Sequence, residues 1–194
     1  MREEEKEIKA FVEEHEIKER RHKYKVVGIV GPMFAGKTTE LIRHISTWEK
    51  AGKTVKYFKP IKDTRHKGEL VRSHGGLEIE AEAVEQLPVS LKGVDVVGVE
   101  ELHMFKFPLE VLWVWAKMGI RVYYTAITVS HKLLPMENIL KWQVYTTKAI
   151  ILYSRCSECG TKTSLTKLLV KTDKEIVVGG KELYEPRCML CWEL

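Results

Sequence analysis

The stretch Gly31-Pro-Met-Phe-Ala-Gly-Lys-Thr38 decides the fold, because it fits the phosphate-binding loop pattern G-x-x-x-x-G-K-[ST]. The glycines allow the backbone to curl, so that successive N–H groups point inward at phosphate oxygens. Lys37 is expected to reach the β- and γ-phosphates, and Thr38 is expected to bind Mg²⁺ through its hydroxyl. The loop therefore predicts an ATP site. The predicted ATP-binding residues are Gly31, Pro32, Met33, Phe34, Ala35, Gly36, Lys37 and Thr38.

The segments around this loop have the periodicity of alternating strands and helices. Residues 25–30 form a short apolar run before the loop, and the amphipathic residues 38–48 follow it. The other predicted elements are strands at 54–58, 94–99, 121–129 and 149–153 and a helix at 109–118. The charged, glycine-containing residues 61–76 are predicted to be a loop outside the core. Strands that alternate with helices predict an α/β fold with a doubly wound parallel sheet, like that of P-loop NTPases.

Two adjacent carboxylates, Glu100 and Glu101, follow the valine-rich run at 94–99. P-loop enzymes place the carboxylate that holds the metal at the carboxyl end of such a strand. A second carboxylate beside it suits a general base that removes the proton of an attacking hydroxyl. We therefore predict that Glu100 supports Mg²⁺ together with Thr38 and that Glu101 is the base. The alternative is that both are solvated acids after a buried strand.

The four cysteines form two Cys-x-x-Cys pairs, Cys156 with Cys159 and Cys188 with Cys191. Residues 1–23 are dominated by Glu, Lys and Arg and lack the apolar stretch of a secretory signal, so a cytoplasmic protein with reduced thiols is expected. Two matched pairs then predict a structural Zn²⁺ site with four thiolate ligands and no open position for catalysis. Unliganded reduced cysteines are the alternative.

Composition and charge divide the chain into three expected parts. Residues 1–23 are predicted to be a charged helical extension, residues 24–153 a nucleotide-binding domain, and residues 154–194 a small zinc-binding lobe. Thirty-two basic and 27 acidic side chains give a net charge of +5, which suits phosphorylated small molecules and permits nucleic acid without requiring it. No stretch of the sequence has the length and composition of a membrane span.

Taken together, these motifs resemble the type II, zinc-containing thymidine kinase family over residues 24–192. Besides the loop and the acidic and cysteine pairs, the supporting stretches are Lys59-Pro-Ile-Lys-Asp-Thr-Arg65, Ser73-His74 and Val177-Val-Gly-Gly-Lys-Glu-Leu-Tyr184. The resemblance implies phosphoryl transfer from ATP to the 5′-hydroxyl of thymidine, with Glu101 as base, Lys37 on the phosphates and Arg65 steadying the transferred charge. It also implies a homotetramer.

In the family that these residues resemble, the region between the two cysteine pairs, here residues 160–187, is a lasso that closes over the nucleoside. The resemblance implies that backbone groups of the lasso recognise the nucleobase. It also implies that Thr166 and Met33 lie near the thymine methyl and that His103 stands in place of a glutamine. The implied substrate-binding residues are Met33, His103, Met104, His131, Thr166, Val178, Gly179, Gly180 and Tyr184.

Several positions depart from the family pattern. Glu100 stands in place of an aspartate, and Met104, His131 and Met136 stand in place of aromatic residues. Each lost aromatic contact removes about 1 kcal/mol beyond simple burial, so thymidine affinity or specificity is expected to differ.

Two other functions remain open from the sequence. An ATP-binding relative of such a kinase, with altered nucleoside specificity or lost catalysis, would bind ATP without turnover on thymidine. A nucleic-acid-dependent P-loop ATPase with a zinc lobe would bind DNA in a salt-sensitive way, but the basic residues show no patch interleaved with aromatics. The leading prediction is the thymidine kinase, with no nucleic acid or membrane partner.

Overall fold

The computed structural model describes residues 25–64, 70–72, 76–105, 110–174 and 176–193. The helical extension predicted at 1–23, Arg65 and the Ser73-His74 pair lie outside the described residues. No helix within the described ranges is both long enough and apolar enough to cross a bilayer.

Twelve strands, three α-helices and two short 3₁₀ helices make up the regular structure of the described residues. The strands are β1 Val26–Val30, β2 Val55–Pro60, β3 Leu70–Arg72, β4 Glu78–Glu80, β5 Glu82–Val84, β6 Val96–Val99, β7 Arg121–Ala126, β8 Lys148–Ile151, β9 Ser154–Arg155, β10 Lys162–Thr163, β11 Thr166–Leu168 and β12 Tyr184–Pro186. The helices are α1 Lys37–Lys50, α2 Val111–Lys117 and α3 Glu137–Gln143.

A six-stranded sheet in the order β5-β2-β6-β7-β1-β8 forms the centre, and every neighbouring pair in it is parallel. Val26 and Val30 of β1 pack on one face with side chains of α2 and α3, while Val27 and Ile29 pack on the other face with α1. Parallel strands covered on both faces are buried throughout, which explains their valine-rich sequences. The prediction of a doubly wound α/β fold is confirmed.

The region 61–76, predicted to be a loop outside the core, contains a strand. Strand β3 pairs with β4 in a short antiparallel hairpin, and Val71 is buried in the core on the α1 side. A three-residue strand is too short for its alternation to stand out in a charged segment. The edge strand β5 and helix α3 were also missed, and β7 ends at Ala126, three residues before the predicted end.

Beyond β8 the chain changes to two antiparallel pairs, β9 with β10 and β11 with β12. The first pair follows the central sheet directly, because Leu152 N–H still donates to Val30 O. This second lobe therefore begins at the carboxyl edge of the sheet, close to the phosphate loop.

Candidate active site

The phosphate loop lies between β1 and α1, where close packing and backbone conformation both require glycine. A Cβ on Gly31 would lie 2.4 Å from the carbonyl oxygen of Leu152, and Gly36 adopts a left-handed φ of 86°. The buried Lys37 ammonium donates to the carbonyl oxygen of Pro32 at 2.8 Å, so it folds back over the loop. The loop thus places backbone and lysine donors around one concave surface at the N-terminus of α1.

The first carboxylate after β6, Glu100, is tied to the loop and to a neighbouring strand. Thr38 Oγ1 donates to Glu100 Oε1 at 2.5 Å, and the Tyr57 hydroxyl donates to Oε2 at 3.0 Å. Burial, together with the negative charge of Glu100, holds the pKa of Tyr57 well above its usual value, so the phenol stays protonated and donates. The two residues predicted to support a metal therefore meet at one point.

Sequence reasoning missed Tyr57, which occupies an apolar stretch of β2. Its ring fits against Gly98, where a Cβ would lie 2.9 Å from Tyr57 Cδ2. A buried tyrosine hydroxyl generally needs a hydrogen-bond partner, and that requirement is the only sequence-level signal for this contact.

The second carboxylate, Glu101, is also buried and sits in an uncommon backbone conformation. Its φ and ψ are 47° and 50°, and its N–H donates to Thr125 Oγ1 at 2.8 Å. Left-handed conformations at residues other than glycine carry strain and cluster at functional sites. The conformation begins a short 3₁₀ turn, Leu102–Met104.

His103, in that turn, lies beside Glu101 with 3.5 Å between its Nδ1 and Glu101 Oε2. Ile127 N–H lies 3.3 Å from the same Nδ1, so this nitrogen faces both a backbone N–H group and the Glu101 carboxylate. The histidine is buried, and Asn138 Nδ2 donates to its carbonyl oxygen at 3.2 Å. His103 is therefore a fixed part of the wall next to Glu101.

Two cavities meet at Met33 and Glu101. The first, which we call the acceptor cavity, comprises about 540 Å³ of space that is partly open to solvent. It is lined by Met33, Glu101, His103, Met104, Ile127, Val129, Ser130, His131, Met136, Thr166, Ile176, Val177, Val178, Gly179 and Tyr184. The second, the donor cavity, comprises about 1030 Å³ of space that is also partly open to solvent. It is lined by Met33, Phe34, Gly36, Lys37, Thr38, Thr39, Glu101, Gly180, Lys181 and Glu182.

The predicted substrate-binding residues all line the acceptor cavity except Gly180, which lines the donor cavity. Of the loop residues, Gly31, Pro32 and Ala35 are absent from the donor lining. Sequence reasoning missed five residues of the acceptor wall. These are Ile127, Val129, Ser130, Ile176 and Val177.

The second lobe is hydrogen-bonded directly to the phosphate loop. Met33 N–H donates to the buried Thr166 Oγ1 at 2.9 Å, and Ser154 Oγ donates to Met33 O at 3.2 Å. The backbone N–H and the carbonyl oxygen of Met33 are thus both hydrogen-bonded to side chains of the second lobe. Any shift of that lobe is transmitted to the loop residue that borders both cavities.

The four cysteines converge in the second lobe, and their sulfur atoms all lie within 4.8 Å of one another. The Cys159 and Cys188 sulfurs are 3.6 Å apart, close to the roughly 3.8 Å edge of a tetrahedron with Zn–S bonds near 2.3 Å. The geometry and the thiol donor set therefore fit a Zn²⁺ ion.

The pKa values of the cysteine thiols also favour a bound cation. Backbone N–H groups of Cys188 and Cys159 lower the pKa of Cys156 to about 6. Side-chain hydrogen bonds with Cys188 and Cys159 raise the pKa of Cys191 to about 12. Four thiolates in one cluster need a compensating positive charge, which a divalent metal ion supplies.

The fold and the site together define a class of protein, an α/β protein whose phosphate-binding loop adjoins a second cavity at Met33 and Glu101. Residues 24–192 match the model of the thymidine kinase family, and the chain belongs to that family. A thymidine kinase of Roseiflexus sp. (strain RS-1) is 35% identical, over 85% of this chain and 93% of its own. One of Bacteroides thetaiotaomicron is 32% identical, over 94% and 93%. One of Pyrobaculum aerophilum is 32% identical, over 84% and 95%.

Proposed function

We propose that this chain is a thymidine kinase, which transfers the γ-phosphoryl group of ATP to the 5′-hydroxyl of thymidine and yields ADP and thymidine monophosphate. The observation that carries the proposal is the meeting of the acceptor and donor cavities at the Glu101 side chain. A base at that junction touches the attacking hydroxyl on one side and faces the transferred group on the other. Family membership supports the choice of thymidine.

On the donor side, the loop from Gly31 to Thr38 binds the phosphates of ATP. The Lys37 ammonium turns from Pro32 O toward the β- and γ-phosphates, and Arg65 steadies the charge that develops between them. Mg²⁺, when bound, neutralises phosphate charge, and Thr38 and Glu100 are the residues that would hold it. The hydrogen bond from Tyr57 fixes the orientation of Glu100.

On the acceptor side, Glu101 takes the proton of the 5′-hydroxyl as that oxygen bonds to the γ-phosphorus. The bond from the γ-phosphorus to the bridging oxygen breaks, and ADP leaves with the bonding electron pair. Thr166 and Met33 lie beside the thymine ring of the nucleoside, and the lasso backbone near Val178 recognises that ring. The apolar lining at Met104 and Met136 replaces aromatic walls with flexible thioether side chains.

The proposal divides the chain by task. Residues 24–153 bind ATP, and residues 154–194, held together by Zn²⁺, carry the lasso that closes over the nucleoside. Assembly into a homotetramer belongs to the same proposal through the resemblance described above, and a cytoplasmic location belongs to it through the paired, reduced cysteines.

The direct test is a nucleoside panel. Purified full-length protein is incubated with ATP and Mg²⁺ and with thymidine, deoxyuridine, deoxycytidine or deoxyadenosine, and products are separated by chromatography. We expect thymidine monophosphate as the main product, with Lys37→Ala as an inactive control. The absence of any phosphorylated nucleoside would contradict the proposal. ATP binding without turnover would then favour an altered relative, and hydrolysis stimulated by DNA would favour the ATPase.

Tyr57→Phe tests whether Tyr57 positions the metal-supporting carboxylate. The variant removes a hydrogen bond to a buried carboxylate, so we expect kcat to fall about tenfold and the Mg²⁺ concentration for half-maximal rate to rise. Tyr124→Phe is the matched control, because this equally buried tyrosine of the same sheet bonds to Thr146 instead. Equal losses in both variants, with unchanged Mg²⁺ dependence, would mean that Tyr57 acts only through packing.

A further inference from the structure

Two side chains of one turn, His131 and Lys132, contact neighbouring backbone carbonyls of the lasso. His131 Nε2 lies 3.0 Å from the carbonyl oxygen of Lys174, and Lys132 Nζ donates to that of Asp173 at 2.7 Å. A carbonyl oxygen only accepts hydrogen bonds, so the imidazole carries a proton on Nε2. We propose that His131 and Lys132 form a latch, which positions the lasso wall of the acceptor cavity.

The turn that carries the latch is fixed by its own hydrogen bonds. Ser130 N–H donates to Leu134 O at 2.8 Å, and Leu133 N–H donates to Ser130 O at 3.0 Å. The buried Ser130 hydroxyl accepts the N–H groups of Lys132 and Leu134, each at 3.3 Å. Because the backbone beneath the latch is already ordered, binding to the lasso costs the rotamer entropy of the two side chains but no further ordering of the turn.

The latched carbonyls lie shortly before the lasso residues that border the acceptor cavity. Ile176, Val177 and Val178 line that cavity, and the Tyr184 hydroxyl donates to Val177 O at 2.7 Å. Tyr184 thus holds this segment at one point, and the latch holds it at a second. With both attachments the wall keeps one position, whereas with Tyr184 alone it can swing away from the cavity.

His131 therefore has a different role from the stacking role that the resemblance implies. The resemblance places an aromatic residue there, and an aromatic ring offers stacking surface but no donor for a carbonyl. The His131 ring borders the acceptor cavity while its Nε2 reaches the lasso. The consequence for catalysis rests on the proposed function: His131 and Lys132 act as positioning residues, which set the affinity for the nucleoside rather than the rate of phosphoryl transfer.

Hydrogen–deuterium exchange on the full chain without nucleotides tests the latch independently of turnover. In the double variant His131→Leu with Lys132→Met, which removes both donors without adding an aromatic ring, the hydrogen-bonded lasso amides of Lys174, Gly180 and Tyr184 are expected to exchange about tenfold faster than in the unsubstituted protein. His131→Gln with Lys132→Arg keeps both donors and should retain most of the protection. Lys171→Met, at an exposed lysine of the same lasso, should leave exchange unchanged.

Kinetics of the same variants supply a second readout. The double variant should raise KM for thymidine about tenfold, with kcat within about twofold of the unsubstituted protein. Exchange equal to that of the unsubstituted protein would overturn the latch, whatever the substrate. If the unsubstituted protein phosphorylates no nucleoside, the proposed function fails, and the exchange comparison still decides whether the latch exists.

Discussion

Glu101→Gln is expected to lower kcat with thymidine by a factor of about 10²–10⁴, because an amide cannot take the proton of the 5′-hydroxyl. The substitution keeps the size of the side chain, and the backbone hydrogen bond to Thr125 does not depend on it. The loop that binds ATP is untouched, so ATP affinity and the KM for thymidine should change little. Single-turnover phosphorylation with saturating substrates measures the chemical step directly.

Glu85→Gln provides a control for this substitution, because Glu85 is an exposed acid outside both cavities. Its kcat should stay within about twofold of the unsubstituted protein, as for most surface changes. If Glu101→Gln retains comparable turnover, Glu101 is not the base, although the chain can still be a kinase. The buried position of Glu101 beside His103 would then require a structural explanation.

The local motifs predicted more of this molecule than any other feature of the sequence. The loop from Gly31 to Thr38 and the two cysteine pairs each fix chemistry within a few residues, so their placement follows from spacing alone. The valine-rich strands were equally clear, because a parallel sheet covered on both faces needs unbroken apolar runs. Family and fold class followed from these signals.

Contacts between distant residues that belong to no shared motif could not be predicted in the same way. Thr166 binds the backbone of Met33, although 133 positions separate them, and neither residue type carries a signal for that pairing. The Tyr57 contact with Glu100 is similar, since an apolar strand gives no indication of a hydroxyl aimed at a carboxylate. The hairpin of β3 and β4 was missed for another reason, because three-residue strands are shorter than any reliable period.

Removing the metal is expected to abolish thymidine phosphorylation, because the cysteines are themselves the core of the second lobe. Cys156, Cys188 and Cys191 form a buried cluster of their own, separate from the two clusters of the central sheet. Structural zinc sites in small domains contribute about 10–16 kcal/mol at neutral pH, so a lobe whose hydrophobic cluster, among the described residues, consists of cysteines is expected to depend on the ion. Elemental analysis should find about one zinc per chain.

Cys188→Ser is the variant that tests this dependence, and Leu190→Ser is its matched control. Both changes fall within the second Cys-x-x-Cys pair, but Leu190 is 93% exposed and contributes no ligand. Cys188→Ser should lose most of its zinc, the protection of residues 154–193 from hydrogen exchange and all measurable turnover, whereas Leu190→Ser should keep all three. ATP binding should weaken less, because the loop stays anchored between β1 and α1 although it loses the contacts of Met33 with Thr166 and Ser154. A zinc-free Cys188→Ser protein with normal turnover would show that the lasso holds its shape without the metal.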